Sequence, residues 1–234
     1  MLHQSEQFGL QLTQSQHDAF NRYQHELVAW NKHTNLTRIT DPAEIITKHF
    51  LDSFSLYPLL SQLSRPYRLI DVGTGAGFPG LPLKIAHPPI KLTLLESTRK
   101  KTDFLQHVVK TLALEDVKVV TSRAEEAGQQ SDHRALYDVA VARAVASLSV
   151  LAEYMLPFVK EGGLVMAQKG QDPTAEIETA QPALAILGAE VDQVLPIAIP
   201  GLDAERHIVV LRKNHPTPAI YPRRVGVPTK RPLS

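Results

Sequence analysis

An apolar run followed by regularly spaced glycines is the segment of the chain whose residue types point most directly to chemistry. The run Leu69–Val72 includes the acid Asp71, and glycines then stand at Gly73, Gly75 and Gly77. Glycine adopts positive φ and has no Cβ, so the backbone amides of such a turn can approach a ligand closely. The segment therefore predicts a site for a nucleotide-like cofactor.

The glycine segment fits two cofactor motifs. From Gly75 the string GAGFPG matches the dinucleotide fingerprint G-x-G-x-x-G, whereas from Asp71 it reads D-x-G-x-G-x-G. The second register fits the strand better, because the first glycine of the fingerprint should follow the strand directly and Gly75 comes after Gly73. NAD and S-adenosylmethionine both remain open at this point.

An acid ends the next apolar run, Lys91–Glu96. The carboxyl ends of neighbouring parallel strands lie at one edge of a sheet, so Glu96 would stand beside the glycine turn. A carboxylate accepts hydrogen bonds from both hydroxyls of a ribose. Glu96 is therefore predicted to bind the ribose of the cofactor, with a solvated strand-end acid as the alternative.

Composition narrows the protein class. The chain has 234 residues, 43% of them hydrophobic, which suffices for one α/β domain with an appendage. It has no cysteine, which removes disulfides, thiolate metal sites and a cysteine nucleophile. The N-terminus does not resemble a signal peptide, and no apolar stretch is long enough to cross a bilayer. We expect a soluble cytoplasmic protein that has no membrane segment, and the histidine spacing predicts no metal site.

Charge is distributed unevenly along the chain. Residues 206–234 contain seven basic residues and no acid, whereas residues 1–205 contain 18 basic and 24 acidic residues. Local basic clusters attract phosphates whatever the net charge. The tail therefore predicts a polyanionic partner, and a merely solvated tail is the alternative.

The first 64 residues read as a helical extension. Thr13 is a predicted N-cap for a helix that ends near Asn31, and Asp41 followed by proline opens a second helix through about Leu60. The string Ser64-Arg65-Pro66 then marks the junction with the next segment.

Strand and helix patterns alternate beyond the junction. The strand-like runs lie at residues 67–72, 91–95, 117–121, 137–142, 163–168, 191–199 and 207–213. Helical patterns lie between them at residues 79–86, 98–113, 147–159 and 173–187. Such alternation predicts a parallel sheet, and the short link between the last two runs predicts a closing antiparallel hairpin. We predict a helical extension over 1–64, a main domain over 65–213, and a basic, proline-rich and irregular tail over 214–234.

A set of longer strings resembles one known family. They are IDVGTGAGFPGLPLKIAHP, LLESTRKKTDFLQ, SRAEE, YDVAVARAVASL and GGLVMAQKG, with LVAWNKHTNLTRITDPAEIITKHFLDSFSL before them and YPRRVGVPTKRPL after them. Together they resemble the bacterial 16S rRNA guanine-N7 methyltransferases, the RsmG or glucose-inhibited division protein B family. The resemblance spans nearly the whole chain, and GTGAGFPG and KHFLDS are its most specific parts.

The resemblance implies a class I S-adenosylmethionine-dependent methyltransferase fold, whose sheet has seven strands with one antiparallel. It implies that Gly73 and Phe78 line the methionine and adenosyl side of the cofactor, that Ala124 and Glu125 flank the adenine, and that Arg143 closes the site. An N-cap role is the alternative for Glu125. With these, Asp71, Gly75, Gly77 and Glu96 complete the expected cofactor set.

Residue types also restrict the methylation chemistry. Methylation at C5 of a pyrimidine usually needs a cysteine, which is missing here. Strand four ends in Val141-Ala142-Arg143 rather than in the Asp/Asn-Pro-Pro-aromatic string of many amine methyltransferases. Guanine N7 attacks a methyl group with its own lone pair, so no general base is required. Arg143 is then a positioning residue that could hold guanine O6, a phosphate or the methionine carboxylate.

Three further side chains are candidates for the reactive site. His49 and Asp52, with Ser53, share one face of the second predicted helix, where they could form a lid or only hydrogen-bond within the helix. Lys169 follows strand five at the carboxyl edge of the sheet and could contact a phosphate or a base.

The leading hypothesis is methyl transfer from S-adenosylmethionine to N7 of a guanine in the decoding-region loop of 16S rRNA. We expect the RNA to be presented in the 30S subunit or a precursor, and the protein to act as a monomer. The alternatives are an NAD-dependent oxidoreductase, a non-catalytic RNA-binding or assembly factor that retains a cofactor pocket, and a small-molecule methyltransferase.

Overall fold

A single seven-stranded sheet organises the computed structural model, which describes residues 2–64, 66–143, 146–170 and 172–234. The strands are β1 Arg68–Val72, β2 Lys91–Glu96, β3 Val117–Thr121, β4 Tyr137–Arg143, β5 Val159–Lys169, β6 Ala189–Pro196 and β7 His207–Lys213. Their order across the sheet is β3-β2-β1-β4-β5-β7-β6. The first five are mutually parallel, and β7 runs antiparallel to both of its neighbours. The predicted mostly parallel sheet with its closing hairpin is confirmed.

Short and long helices connect the strands. They are α1 Leu2–Ser5, α2 Gln14–Thr34, α3 Pro42–Ile45, α4 Asp52–Phe54, α5 Tyr57–Leu60, α6 Gly80–Ala86, α7 Arg99–Thr111, α8 Ala124–Ala127, α9 Leu148–Met155, α10 Thr174–Leu187 and α11 Val227–Lys230. Turns of 3₁₀ helix span Glu6–Phe8 and Leu156–Phe158, and a π-helical segment spans Ile46–Leu51 between α3 and α4. The predicted N-caps are present: Thr13 forms a capping box with Gln16, and Asp41 accepts from the amides of Ala43 and Glu44.

The second predicted helix is not continuous to Leu60. It consists of α3, the π-helical segment and α4, and it breaks at Ser55 before α5 begins. Serine hydroxyls compete for backbone acceptors here: Ser53 Oγ donates to His49 O (2.6 Å) and Ser55 Oγ donates to Asp52 O (2.6 Å). Helix α2, in contrast, runs three residues beyond the predicted end and terminates at Asn35, which has a φ of 50°.

Two apolar clusters cover the two faces of the sheet. On one face, aromatic residues of the N-terminal extension, among them Phe20, Tyr23 and Phe50, pack with Leu69 and Leu94 of the strands. On the other face, α9 and α10 pack against β4, β5 and β7. The extension therefore shares its core with the sheet. The division of the chain near residues 64 and 213 stays a prediction, and Arg65 of the predicted junction lies outside the described residues.

The C-terminal tail is docked rather than loose. Arg134 donates hydrogen bonds to the carbonyl oxygens of Thr217, Pro218 and Tyr221. Arg223 pairs with the buried carboxylate of Glu153 through its Nη2 (2.6 Å) and Nε (2.9 Å). The tail, predicted to be irregular, contains only the single turn α11, and these side-chain contacts hold it against α9.

Candidate active site

The glycine turn after β1 needs glycine for geometric reasons. Gly73, Gly75 and Gly77 have φ values of 71°, 61° and 102°. A Cβ on Gly77 would come within 2.5 Å of Leu81 Cδ1 and 2.6 Å of Tyr23 Oη, so no larger side chain fits there. The hydroxyl of Tyr23 donates to Ala76 O (2.5 Å), which ties the turn to helix α2.

The buried carboxylate of Asp71 stabilises the glycine turn. Its Oδ2 accepts from Thr74 Oγ1 (2.6 Å) and from Gly80 N (2.7 Å), while Oδ1 has no hydrogen-bond partner among the described residues. The side chain is fully buried, and burial raises the pKa of its carboxyl to about 6. Asp71 is a predicted cofactor-binding residue. Because its carboxylate binds Thr74 and Gly80, it would affect cofactor binding by holding the turn in its conformation.

A cavity of about 340 Å³, the cofactor cavity, lies at the carboxyl edge of β1, β2 and β3. It is lined by Val72, Gly73, Leu95, Glu96, Ser97, Lys101, Ser122, Arg123, Ala124, Glu125, Arg143 and Tyr154. The predicted residues Gly73, Glu96, Ala124, Glu125 and Arg143 are therefore brought together around one space. Ligand binding at this edge is usual for open α/β sheets.

Three other predicted cofactor residues lie behind the residues that line the cofactor cavity. Gly75, Gly77 and Phe78 are not among the described lining residues of the cofactor cavity. Gly75 donates its amide to Glu96 Oε2 (3.1 Å), and the ring of Phe78 stacks on His49. These residues support the groups that line the cavity.

Glu96 reaches from β2 toward the glycine turn. Besides Gly75 N, its carboxylate accepts from Thr98 N (2.8 Å), and Lys101 Nζ lies 4.0 Å from Oε2. Only 6% of the residue is exposed, so the carboxylate has a fixed position on the cavity wall. That position and its acceptor oxygens suit the predicted ribose contact.

Ala124 and Glu125 begin helix α8 directly after β3. Glu125 lies in the first turn of the helix, whose N-cap is Arg123, and its Oε1 accepts from Gly226 N of the tail (3.0 Å). Tyr154, which also lines the cavity, shares a hydrogen bond with Thr229 of the tail (2.8 Å). The side of the cavity formed by Glu125 and Tyr154 is thus braced by the C-terminal tail. No sequence signal singled out Tyr154, because it lies within the apolar helix α9.

A second cavity of about 340 Å³, the acceptor cavity, shares Arg143 with the first. It is lined by Ile39, Lys48, His49, Asp52, Arg143, Gln168, Lys169, Gly170 and Arg206. These residues come from the N-terminal extension, from the ends of β4 and β5, and from the segment before β7. The structure therefore brings together all four predicted reactive-site residues, Arg143, Lys169, His49 and Asp52.

Arg143 occupies the border between the two cavities. Its Nη1 donates to Asp52 Oδ2 (3.0 Å) and to Lys48 O (3.0 Å), and its Nη2 contacts His49 Nδ1 (3.1 Å). Its Cζ lies 5.0 Å from the centre of the Phe78 ring, a cation–π distance. These contacts fix the planar guanidinium in one orientation between the two spaces.

His49 is held in its neutral form. Burial, together with the positive charge of Arg143, lowers the pKa of its imidazole to about 3. Its Nδ1 lies 3.1 Å from Arg143 Nη2 and 3.2 Å from Lys48 O, and its Nε2 lies 2.9 Å from Thr37 Oγ1. His49 is therefore neutral at pH 7, and both of its ring nitrogens contact protein groups.

The charged groups Asp52 and Lys169 of the acceptor cavity are also paired. Asp52 is 3% exposed, and its Oδ1 accepts from Arg206 Nε (3.2 Å) while Oδ2 binds Arg143. Lys169 Nζ donates to Ala146 O and to Glu176 Oε1, both at 2.8 Å. Gln168 and Arg206 were not predicted. The position of Gln168 beside Lys169 at the end of β5 could have indicated it, whereas nothing in the sequence pairs Arg206 with Asp52.

No group of three or more His, Asp or Glu side chains among the described residues lies together as metal ligands would. In the same part of the chain, no helix is both long and apolar enough to cross a membrane.

The cofactor cavity offers the contacts that S-adenosylmethionine needs. Glu96 would hold the ribose, the apolar Ala124 would cover the adenine beside backbone amides, and Gly73 with Arg143 would face the methionine end. A buried carboxylate on the cavity wall, placed between a glycine turn and a strand end, fits this group. When bound, the cofactor supplies an electrophilic methyl group on a sulfonium.

Structures solved for other proteins agree with this fold. The chain is similar to TYW2 from Pyrococcus horikoshii, solved in complex with MeSAdo, with a TM-score of 0.54, 15% identity, and coverage of 74% of this chain and 64% of that one. It is also similar to TrmN from Thermus thermophilus, with a TM-score of 0.52, 16% identity, and coverage of 72% and 53%. At these identities the likeness concerns the fold alone, which is that of the class I methyltransferases.

Sequence comparisons extend over the whole chain. The family described as rRNA small subunit methyltransferase G matches residues 16–209. A protein named ribosomal RNA small subunit methyltransferase G from Roseiflexus castenholzii is 54% identical over 97% of this chain and 95% of its own length. The protein of the same name from Acetivibrio thermocellus is 48% identical over 97% and 93%. The chain therefore belongs to the rRNA small subunit methyltransferase G family of S-adenosylmethionine-dependent enzymes.

Proposed function

We propose that this enzyme transfers the methyl group of S-adenosylmethionine to N7 of one guanine in the decoding-region (530) loop of 16S rRNA, within the 30S subunit or a precursor. The guanine would enter the acceptor cavity and present N7 toward the cofactor cavity. Arg143, which borders both spaces, would orient the base.

The observation that carries the choice of N7 is the state of the titratable side chains in the acceptor cavity. His49 has a pKa of about 3, and its Nδ1 contacts both Arg143 Nη2 and Lys48 O. Asp52 is bound by two arginines, and Lys169 is bound by Glu176. Among the described lining residues, none of these is poised to remove a proton. Guanine N7 suits such a cavity, because its lone pair attacks the methyl group directly.

Exposed basic residues support a nucleic-acid substrate, but fewer of them are available than the sequence suggests. Four of the seven basic residues in 206–234 are engaged internally: Arg206 with Asp52, Arg212 with Asp192, Lys213 with backbone carbonyls and Arg223 with Glu153. The other three, together with cations near the mouth of the cofactor cavity, are exposed. These exposed cations are Arg99, Lys100, Arg123, Arg224, Lys230 and Arg231. They offer a path for phosphates beside the cavity.

We also propose that the enzyme works as a monomer in the cytoplasm. The N-terminal extension packs over the sheet edge of its own chain and supplies Lys48, His49 and Asp52 to the acceptor cavity, so the groups that contact Arg143 come from within the chain. An rRNA in an assembling subunit is available in that compartment.

The test uses small subunits from cells that lack the corresponding gene. Purified enzyme and tritiated S-adenosylmethionine are incubated with 30S subunits, with naked 16S rRNA and with a pool of small metabolites, and nucleosides are identified by mass spectrometry. Borohydride reduction, aniline cleavage and primer extension then locate the site. We expect 7-methylguanosine at one position.

Other outcomes would replace the proposal. A methyl group on another atom or nucleoside would refute the N7 assignment. Labelling of metabolites alone would favour a small-molecule methyltransferase. If cells carrying Glu96→Gln or Arg143→Ala retain full function although their subunits are unmethylated, a non-catalytic assembly role is favoured.

A further inference from the structure

Gln168 is a residue of the acceptor cavity wall that carries a buried acceptor atom. The residue is 5% exposed and lines the cavity, and its Oε1 is buried without a hydrogen-bond partner among the described residues. A buried acceptor without a partner destabilises the protein, and a ligand that donates a hydrogen bond to it would remove that cost.

The orientation of this amide is determined by its other contacts. Gln168 Nε2 donates to Asp52 O (2.7 Å) and contacts Ser55 Oγ (3.1 Å). The carbonyl of Asp52 can only accept, so the amide nitrogen must face it, and Oε1 must face away. Both hydrogens of the amide are used by these two contacts, which leaves Oε1 as the one group of the side chain that can take a new partner.

The place of Gln168 in the sheet relates it to the reacting atoms. Gln168 on β5 is the direct register partner of Arg143 on β4, and β4 lies between β5 and β1. The cofactor cavity is on the β1 side of Arg143. A base that turns its N7 edge toward the cofactor would therefore turn its opposite, Watson–Crick edge toward β5.

We propose that Gln168 Oε1 accepts a hydrogen bond from the Watson–Crick edge of the target base and so selects guanine over adenine. Guanine presents N1–H and the N2 amino group as donors on this edge, whereas adenine presents N1 as an acceptor. An acceptor held rigidly by Asp52 and Ser55 would pair with the first edge and repel the second. This inference rests on the proposed function and adds to it the residue that reads the base.

The test is a double-mutant cycle between the protein and the base. The target guanosine, located as above, is replaced in reconstituted 30S subunits by inosine, which lacks only the N2 amino group, or by 2-aminopurine, which lacks both N1–H and O6. Both keep N7. The proteins are wild type, Gln168→Met, Gln168→Glu and the matched control Gln193→Met, whose residue is exposed on β6.

We expect wild type to prefer guanosine over at least one analogue by about tenfold or more in kcat/KM. Gln168→Met should lower kcat/KM on guanosine by a similar factor and lose the preference, with the Kd for S-adenosylmethionine unchanged. Gln193→Met should retain the preference, whereas Gln168→Glu, which loses the amide hydrogens bound by Asp52 O and Ser55 Oγ, should lose it.

A merely structural role for Gln168 predicts a different pattern. Gln168→Met would then lower activity equally on all three bases and leave the preference intact, which would overturn the proposal. If Gln168→Met does not fold, equal wild-type rates on guanosine and both analogues would overturn it instead. A methyl group found elsewhere than on guanine N7 is a failure of the proposed function, and is recognised separately by nucleoside analysis.

Discussion

The two cavities that meet at Arg143 are built in different ways. The cofactor cavity is made mainly of segments that follow strands β1, β2 and β3, and Glu96 binds Thr98 two residues away in the chain. The acceptor cavity is made of segments from remote parts of the chain: Arg143 reaches Asp52 across 91 positions and Arg206 reaches it across 154. The cofactor cavity is thus formed by the edge of the sheet, whereas the acceptor cavity is formed where the N-terminal extension packs on that edge.

This difference separates the region that binds the cofactor from the region that we propose selects the RNA base. A strand end with a glycine turn produces a cofactor site in many proteins, because backbone amides and one acid suffice. The acceptor cavity instead depends on a network of paired charges around Asp52. We therefore expect damage to the shared arginine to affect both functions, and damage elsewhere to affect only one.

The largest effect is expected for Arg143→Ala, which should lower kcat/KM by about 1,000-fold. The change removes the group that borders both cavities and leaves the carboxylate of Asp52, 3% exposed, with one arginine fewer. Methyl transfer to 30S subunits is measured with Arg212→Ala as the control, since Arg212 pairs with Asp192 away from the site. An effect below threefold would contradict the shared role.

Arg223→Met tests the tail that braces only the cofactor cavity. The side chain of Glu153 is 1% exposed, and removal of its partner should lower the free energy of unfolding by about 3 kcal/mol. Chemical denaturation measures this change. Arg224→Met is the control, because Arg224 is exposed. Unchanged stability would mean that the tail contributes nothing to the fold.

Glu96→Gln separates cofactor binding from RNA binding. Loss of the carboxylate charge should raise the Kd for S-adenosylmethionine about 30-fold, or about 2 kcal/mol, while the Kd for rRNA stays the same. Calorimetric titration measures the first value and filter binding the second, with exposed Glu190→Gln as the control. Equal losses in both would refute the division of labour between the cavities.

The pH dependence of stability should differ in sign between the two regions. The pKa of Asp71 is raised from 3.8 to about 6, so the fold binds this proton more tightly than the unfolded chain does. The stabilisation is present at low pH and is lost as pH rises through 6. Wild type should therefore lose about 1 kcal/mol relative to Asp71→Asn between pH 5 and 7.5.

His49 should behave in the opposite way, because its pKa is lowered from 6.5 to about 3. Its contribution is complete above pH 6.5 and declines as pH falls, so wild type should lose stability relative to His49→Gln on acidification. Parallel denaturation series at several pH values check both variants. Two differences of the same sign would contradict the assigned protonation states.

The smallest effect is expected for Lys169→Met, which should change kcat/KM by less than about threefold. The ammonium is committed to Ala146 O and Glu176, so it has little left to offer a phosphate or a base. Steady-state methyl transfer measures the effect beside Lys160→Met, which alters an exposed lysine on the same strand. A loss of tenfold or more would restore Lys169 as a direct substrate contact.

Local patterns account for the parts that could be predicted. The alternation of strands and helices, the N-caps at Thr13 and Asp41, and the closing hairpin all follow from short-range periodicity and turn chemistry, and all are present. The break at Ser55 was missed, because hydroxyl groups that compete for helical carbonyls leave no clear trace in the apolar pattern.

The sequence by itself predicted a nucleotide-like cofactor, because a glycine turn and a strand-end acid act through neighbouring backbone, and its longer strings indicated the family. Only the tertiary structure decided which charges are available. Arg223 and Lys169 look equivalent to exposed cations in the sequence, yet each is paired in the fold. Gln168 is oriented by its hydrogen bond to the carbonyl oxygen of Asp52, which lies 116 positions away in the sequence. Pairing and burial depend on how the extension, the tail and the helices pack against the sheet and against one another.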